Sequence, residues 1–176
     1  MRKLVLYIAM SLDGFIASET GGVEWLVGQE ATSEEMGSYE GFIQTVDTVV
    51  MGYTTFHQIT TELAPGDWPY KGMKSYVLTH KNKESKEEIT FTDENVKQLI
   101  EKIKSEPGKN IWICGGANVA NQLIKEDLID RYHITVIPTI LGKGIRLFHD
   151  NIDCIKLKLI SSESYNGITD LIYERR

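Results

Sequence analysis

The sequence predicts an α/β protein of three layers, in which helices cover both faces of a mainly parallel mixed sheet with an antiparallel C-terminal hairpin. Short apolar runs rich in β-branched residues alternate with amphipathic helical patterns over the first two thirds of the chain. Most of these runs are apolar throughout, which is typical of strands covered on both faces. Two further strand patterns flank the pair Asn166-Gly167, which favours a hairpin turn.

Length, charge and cysteine content indicate one domain, residues 1–176, without nucleic-acid or membrane partners. The chain has 176 residues, and 41% of them are hydrophobic, which is enough for one sizeable core. A net charge of -6 without a long basic run argues against nucleic acids and anionic membranes. The apolar run at residues 4–10 is too short for a signal or membrane-spanning segment. Two isolated cysteines fit a reducing compartment, so we expect a cytoplasmic protein.

The first half of the chain is predicted to contain three strands joined by helices and long loops. Apolar β-rich runs mark the strands, and Thr32 with Glu35 resembles a capping box at the start of the first helix. The predicted elements are strands at residues 3–10, 47–51 and 74–78, helices at residues 32–45 and from Gly52, a long loop at residues 11–26 and an irregular loop at residues 60–72.

The second half is organised around residues 111–124, where an apolar strand pattern passes through Gly115 and Gly116 into a helical pattern. Asp93 is the predicted cap of the helix before this unit, and that helix ends near Pro107. The remaining predicted elements are strands at residues 89–91, 131–138, 155–164 and 169–174.

Four loops are predicted to meet beyond the carboxyl ends of the parallel strands, where such sheets bind ligands. They are residues 11–25, 52–55, 79–83 and 115–118. Gly52 and Gly116 each stand where a strand passes into a helix, so two helix N-termini could hold the two phosphates of one pyrophosphate. The alternative is that the glycines only let helix and strand pack closely.

A basic loop follows the third strand and supplies hydroxyl and cationic groups from Thr79, His80, Lys81 and Lys83. Such groups suit an additional phosphate on an adenosine ribose, which favours NADPH over NADH. The alternative is a solvated loop without a ligand. No standard dinucleotide or phosphate-loop motif occurs. The four histidines are scattered and lack ligand spacing, so no metal site is predicted.

Three further residues are candidates for the substrate end of this edge. Asp13 follows the first strand and could position the substrate or supply a proton, although it could equally be a turn residue ahead of Gly14. Trp25 could lie against a planar ligand or belong to the core. Glu30 is one of several acids that could face the same cleft or remain a surface charge.

Five ordered blocks make the sequence similar to the dihydrofolate-reductase-like superfamily. More narrowly, they resemble the reductase domain of the bacterial bifunctional riboflavin-biosynthesis deaminase-reductase and its free-standing relatives. The blocks are residues 11–17 (SLDGFIA), 24–26 (EWL), 47–56 (DTVVMGYTTF), 114–117 (CGGA) and 137–148 (IPTILGKGIRLF). The chain departs from the riboflavin enzymes at residues 57–71, where their Arg-containing segment is replaced by one without arginine, and it carries no zinc deaminase signature.

The resemblance implies an NADPH-dependent reductase of a small heterocycle, of the 5-amino-6-(5-phosphoribosylamino)uracil reductase type, that forms a homodimer. It places Asp13 and Trp25 at the substrate end, with Glu30 as a possible acid beyond Trp25. The implied cofactor contacts are Gly52, Thr54, Thr55, Thr79, Gly115, Gly116, Ala117 and Asn118, to which the basic loop adds His80 and Lys81. Two alternatives remain open, namely a dihydrofolate or pteridine reductase and a non-catalytic NADPH-binding module.

Overall fold

The computed structural model of the protein describes residues 1–30 and 37–176 and contains ten strands and four α-helices in that part of the chain. The strands are β1 (Leu4–Ser11), β2 (Phe15–Ala17), β3 (Val46–Gly52), β4 (Lys74–Leu78), β5 (Ile89–Thr92), β6 (Asn110–Gly115), β7 (Arg131–Ile137), β8 (Ile145–Arg146), β9 (Leu157–Tyr165) and β10 (Ile168–Arg175). The helices are α1 (Tyr39–Ile43), α2 (Tyr53–Gln58), α3 (Val96–Ser105) and α4 (Ala117–Lys125).

Eight of the strands form one sheet in the order β5-β4-β3-β6-β1-β7-β10-β9. All neighbours from β5 to β7 are parallel, whereas β10 runs antiparallel to β7 and to β9. The β9–β10 hairpin turns at Asn166 and Gly167, both with positive φ, as the Asn-Gly pair predicts. The predicted fold class is therefore confirmed, including the antiparallel C-terminal hairpin.

Two hydrophobic cores lie on opposite faces of the sheet because alternate residues of each strand point to opposite sides. On one face, Leu4 and Leu6 pack with α3 and α4. On the other face, Val5 packs in a cluster with Phe42 of α1 and with Trp112. The helices thus form the outer layers of the predicted three-layer arrangement. None of the described helices is long and apolar enough to cross a membrane.

The cap of α3 and the segment after α2 differ from the sequence-based expectations, and one predicted feature lies outside the described residues. The side chain of Asn95, and not that of Asp93, caps α3, because its oxygen accepts hydrogen bonds from the N–H groups of Lys97 and Gln98. The segment expected to be an irregular loop begins with a π-helical turn, Ile59–Leu63, that continues α2. The capping box predicted at Thr32 lies outside the described residues.

Candidate functional site

A cavity of about 530 Å³ opens at the carboxyl ends of the central parallel strands. Its floor includes Ile8 and Ala9 of β1 and Cys114 of β6. The first residues of α2 and α4 form one wall, and the segment after α2 forms another. This is the edge at which the sequence predicts a ligand, and the size suits a small molecule.

The N-termini of α2 and α4 lie side by side because β3 and β6, which lead into them, are neighbours in the sheet. Their N-cap residues, Gly52 and Gly116, are extended, and neither helix has a side-chain cap among the described residues. A Cβ atom on Gly116 would lie 3.4 Å from Oγ1 of Thr55, so the two helix starts approach closely. The first free N–H groups of both helices therefore carry partial positive charge at one place.

Gly115 has a φ of +128°, a conformation that L side chains rarely adopt, and its peptide bond to Gly116 is cis. A residue with a Cβ atom at position 115 would be strained in this conformation. The backbone conformation therefore explains why glycine occupies position 115, the first position of the Gly115-Gly116 pair.

Six of the predicted cofactor residues line this cavity, and the structure brings them together from two separate parts of the chain. Those six are Gly52, Thr54, Thr55, Gly116, Ala117 and Asn118. Gly115 immediately precedes Gly116 at the end of β6 and does not itself line the cavity.

The other three predicted cofactor residues, Thr79, His80 and Lys81, line a separate pocket of about 330 Å³ together with Lys83. This pocket lies where β4 and β5 end. It adjoins α2, because the Lys81 Nζ atom lies 4.3 Å from the ring centroid of Tyr53, the first residue of that helix. Three basic side chains and the carboxylate of Asp93 therefore line a polar pocket beside the helix N-terminus.

The far end of the larger cavity is apolar and is built largely by the segment that follows α2. Ile59, Leu63 and Tyr70 of this segment line the cavity, as Ala9 of β1 does. Gln58 fixes this wall, because its Nε2 donates a hydrogen bond of 2.8 Å to the carbonyl oxygen of Gly21. Sequence reasoning missed these residues, because the segment has no period that would mark one face as buried.

Tyr70 and Cys114 are the polar groups at this apolar end, and their Oη and Sγ atoms lie 3.6 Å apart. Burial raises the pKa of the Cys114 thiol to about 11, so it stays a neutral thiol near pH 7. Burial also raises the pKa of Tyr70, which keeps its phenol protonated. Neither group is suited to act as an anionic nucleophile at neutral pH.

Asp13 stands at the end of β1, but its carboxylate is occupied by groups outside the cavity. It accepts hydrogen bonds from the N–H groups of Leu141 (3.0 Å) and Gly142 (2.7 Å) and from the Ser11 hydroxyl (2.6 Å). The Ser11 bond, with these backbone bonds, lowers the pKa of Asp13 to about 2. These contacts favour a role in holding the loop after β7, and the proposed catalytic role stays a prediction.

Trp25 and Glu30 do not line the cavity in the described structure. Trp25 is half-buried, and its Nε1 donates to the carbonyl oxygen of Gly22, while its neighbour Leu26 does line the cavity. Glu30 is exposed, and its backbone pairs with the side chain of Asn166 in the β9–β10 turn. Their predicted substrate roles therefore have no direct support from these contacts and remain predictions.

No cluster of three His, Cys, Asp or Glu side chains able to hold a metal occurs within residues 1–30 and 37–176.

The family of the chain is decided by a sequence model described as the RibD C-terminal domain, which matches residues 2–171. The chain belongs to the RibD C-terminal domain family. Its similarity to YwjB of Bacillus subtilis (strain 168) covers 99% of this chain and 98% of YwjB, at 42% identity. The predicted resemblance to the reductase domain of the riboflavin enzymes is thereby confirmed.

Solved structures place this family member among dihydrofolate-reductase-like folds. A protein of Shewanella sp. PV-4, whose name assigns it to riboflavin biosynthesis, is 27% identical with a TM-score of 0.86 over 99% of both chains. A Thermotoga maritima diaminohydroxyphosphoribosylaminopyrimidine deaminase/5-amino-6-(5-phosphoribosylamino)uracil reductase has a TM-score of 0.73 at 17% identity, covering 99% of this chain and 57% of that chain. Schistosoma mansoni dihydrofolate reductase has a TM-score of 0.67 at 18% identity over 99% of both chains. The last two similarities show the fold alone.

Proposed function

We propose that this protein is an NADPH-dependent reductase of a small heterocycle, with the pyrophosphate of NADPH at the N-termini of α2 and α4. One observation carries the proposal, namely that these two helix starts and the hydroxyls of Thr54 and Thr55 open into the same cavity. The membership of a reductase-like family supports it. NADPH, when bound, supplies the hydride, and the chain's own residues orient the two reactants and exclude water.

The pocket formed by Thr79, His80, Lys81 and Lys83 is the proposed site of the additional phosphate that distinguishes NADPH from NADH. Charge-assisted hydrogen bonds from lysine and histidine are suited to a phosphate, and the pocket adjoins α2 through Tyr53. The apolar end of the larger cavity is then left for the nicotinamide and the substrate.

The reaction class that we favour is the reduction of an aminopyrimidine or pteridine ring, by analogy with the riboflavin-pathway reductases of this family. A dihydrofolate reductase-like activity is the second candidate, because the fold is shared with that enzyme. A non-catalytic NADPH-binding module is the third.

We also propose a homodimer in the cytoplasm. The edge strand β9 is the candidate contact between subunits, because edge strands can pair with another chain and its Leu159 and Ile160 are 50% and 46% exposed. Sedimentation velocity gives the oligomeric state directly.

The proposal is tested by titrating the protein with NADPH and comparing Gly116→Val with the wild type. We expect Gly116→Val to abolish NADPH binding, because a branched side chain would fill the space beside Thr55 that the pyrophosphate needs. Gly41→Val in α1 is the matched control, since a Cβ at Gly41 meets no atom within 4 Å. Unchanged NADPH affinity in folded Gly116→Val would contradict the assignment of this corner.

A screen that follows NADPH oxidation with pterins and aminopyrimidines separates the three candidate functions. Oxidation with an aminouracil or a pterin identifies a reductase and its substrate type. NADPH binding without oxidation by any compound would favour the non-catalytic module.

A further inference from the structure

The substrate end of the cavity is formed by side chains without charge. Among the described residues that line the cavity, His149 is the single histidine, and none is Lys, Arg, Asp or Glu. The segment that replaces the Arg-containing segment of the riboflavin enzymes contributes Gln58, Ile59, Leu63 and Tyr70 to this wall. The segment that stands in place of the Arg-containing one therefore gives this wall no charged side chain.

The basic residues of that same segment, His57 and Lys71, do not line the cavity. Lys71 pairs with Asp67, and both side chains are mostly exposed. His57 stacks on Tyr53, with ring centroids 5.9 Å apart, and does not line the cavity. A phosphate at the apolar end would therefore lose water without gaining a counter-charge from the described residues, which is unfavourable.

Tyr70 lines this end, and its hydroxyl lies 3.6 Å from the Sγ atom of Cys114, another residue that lines the cavity. The Tyr70 side chain is fixed between two indole rings, with ring centroids 5.1 Å from Trp68 and 5.0 Å from Trp112, and the residue is 8% exposed. Its one hydrogen-bond partner among the described residues is Cys114 Sγ, a weak acceptor and donor. If the thiol donates to the phenol oxygen, the phenol proton is available to a molecule in the cavity.

Resting on the proposed reductase function, we infer that the substrate is an uncharged, flat heterocycle without a phosphate, and that the Tyr70 hydroxyl donates a hydrogen bond to its carbonyl oxygen or ring nitrogen. The ring lies against the apolar residues Ala9, Ile59 and Leu63. The phenol stays protonated because its burial raises its pKa, so it binds and orients the substrate as a neutral donor.

The test measures binding by calorimetry to protein saturated with NADP⁺, using two matched pairs of probes. One pair is 5-amino-6-ribosylaminouracil and its 5′-phosphate, and the other is 6-hydroxymethyl-7,8-dihydropterin and its phosphate. In at least one pair we expect the uncharged member to bind about tenfold or more tightly than the phosphorylated member. Equal or tighter binding of the phosphorylated members, or no binding of any probe to the NADP⁺ complex, would overturn the inference.

The role of Tyr70 is tested by Tyr70→Phe, with Tyr132→Phe as the matched control. Tyr132 is 3% exposed and its hydroxyl has no partner among the described residues, but it borders a different pocket, near Phe148. Tyr70→Phe should weaken binding of the uncharged probe about three- to tenfold, and Tyr132→Phe should leave it unchanged. Wild-type affinity in Tyr70→Phe would overturn the assignment.

NADP⁺ affinity, measured in the same samples, separates this inference from the proposed function. Both variants should still bind NADP⁺, because neither residue lies at the helix N-termini that are proposed to hold its pyrophosphate. If the wild type itself failed to bind either form of the cofactor, the proposed function would fail, and this inference with it.

Discussion

Asp13 lies where the sequence predicts it, but its carboxylate accepts hydrogen bonds from groups that do not line the cavity. The sequence places it at the end of β1, and the structure agrees. Yet its oxygens accept hydrogen bonds from the backbone N–H groups of Leu141 and Gly142, in the loop after β7. A carboxyl group with a pKa of about 2 holds no proton at neutral pH, so direct proton donation is disfavoured.

We therefore predict that Asp13→Asn acts mainly on stability. The asparagine side chain has one acceptor oxygen in place of two, and its NH₂ group would face a backbone N–H. The melting temperature should fall at pH 7, while turnover changes by less than about tenfold. An unchanged melting temperature with turnover reduced about a hundredfold would instead support the catalytic role.

Which site residues could be predicted from the sequence depends on how local their signal is. Gly52 and Gly116 are marked by the strand before them and the helix after them, so the neighbouring sequence suffices. Tyr70 has no such signal, because its position is set by packing against Trp68 and Trp112, the latter 42 positions away in β6. The absence of arginine in residues 57–71 was the available sequence clue to this wall.

At the level of elements, the adjacency of α2 and α4 follows from the parallel pairing of β3 with β6. Each strand-to-helix corner is a local pattern, and its position is confirmed. The π-helical turn after α2 was not predicted, since its Pro- and Gly-rich surroundings resemble a loop. The predicted cap of α3 was wrong by two residues. Asp and Asn are both favoured N-cap residues, so the residue types alone do not show at which of the two positions the helix begins.

The loop after β4 leads to a prediction about cofactor choice. NADPH should bind about ten- to a hundredfold more tightly than NADH, because one or two charge-assisted hydrogen bonds to the extra phosphate contribute roughly 1.5–3 kcal/mol. Lys81→Ala should reduce this preference, measured as the ratio of the two dissociation constants.

Lys86→Ala is the matched control, because Lys86 is an exposed lysine of the same connection that does not line the pocket. It should leave the ratio unchanged. If the wild type bound NADPH and NADH with equal affinity, the basic loop would be a solvated loop that does not bind the extra phosphate of NADPH.

For the whole molecule, the fold class was predictable but the order of strands was not read from the sequence. Alternating patterns show that strands and helices follow one another, whereas the order depends on pairings between distant residues. β1, for example, pairs with β6 and β7, both more than a hundred positions later. The six consecutive parallel strands bring their carboxyl ends to one edge, and this is why the site forms there.

His133 links the sheet of the whole molecule to the segment that precedes α1. It lies on β7, is 3% exposed, and its Nε2 is 2.8 Å from Oγ of Ser38. Burial lowers its pKa to about 4, with Asp170 opposing and Arg131 adding to this shift. The folded protein therefore resists protonation of a ring that the unfolded chain protonates at about pH 6.5.

Because the pKa of His133 is lower in the folded state, the unfolded chain binds the extra proton between pH 6.5 and 4, and stability falls as the pH drops through that window. The free energy of unfolding should be about 3 kcal/mol lower at pH 4 than at pH 7 because of this group, since one pKa unit corresponds to 1.36 kcal/mol. Urea unfolding at pH 7, 5 and 4 measures this difference in the free energy of unfolding. In His133→Asn the loss should shrink by this amount, whereas in His149→Asn, which removes an exposed histidine, it should remain. The same pH dependence in His133→Asn as in the wild type would assign the acid sensitivity to other groups.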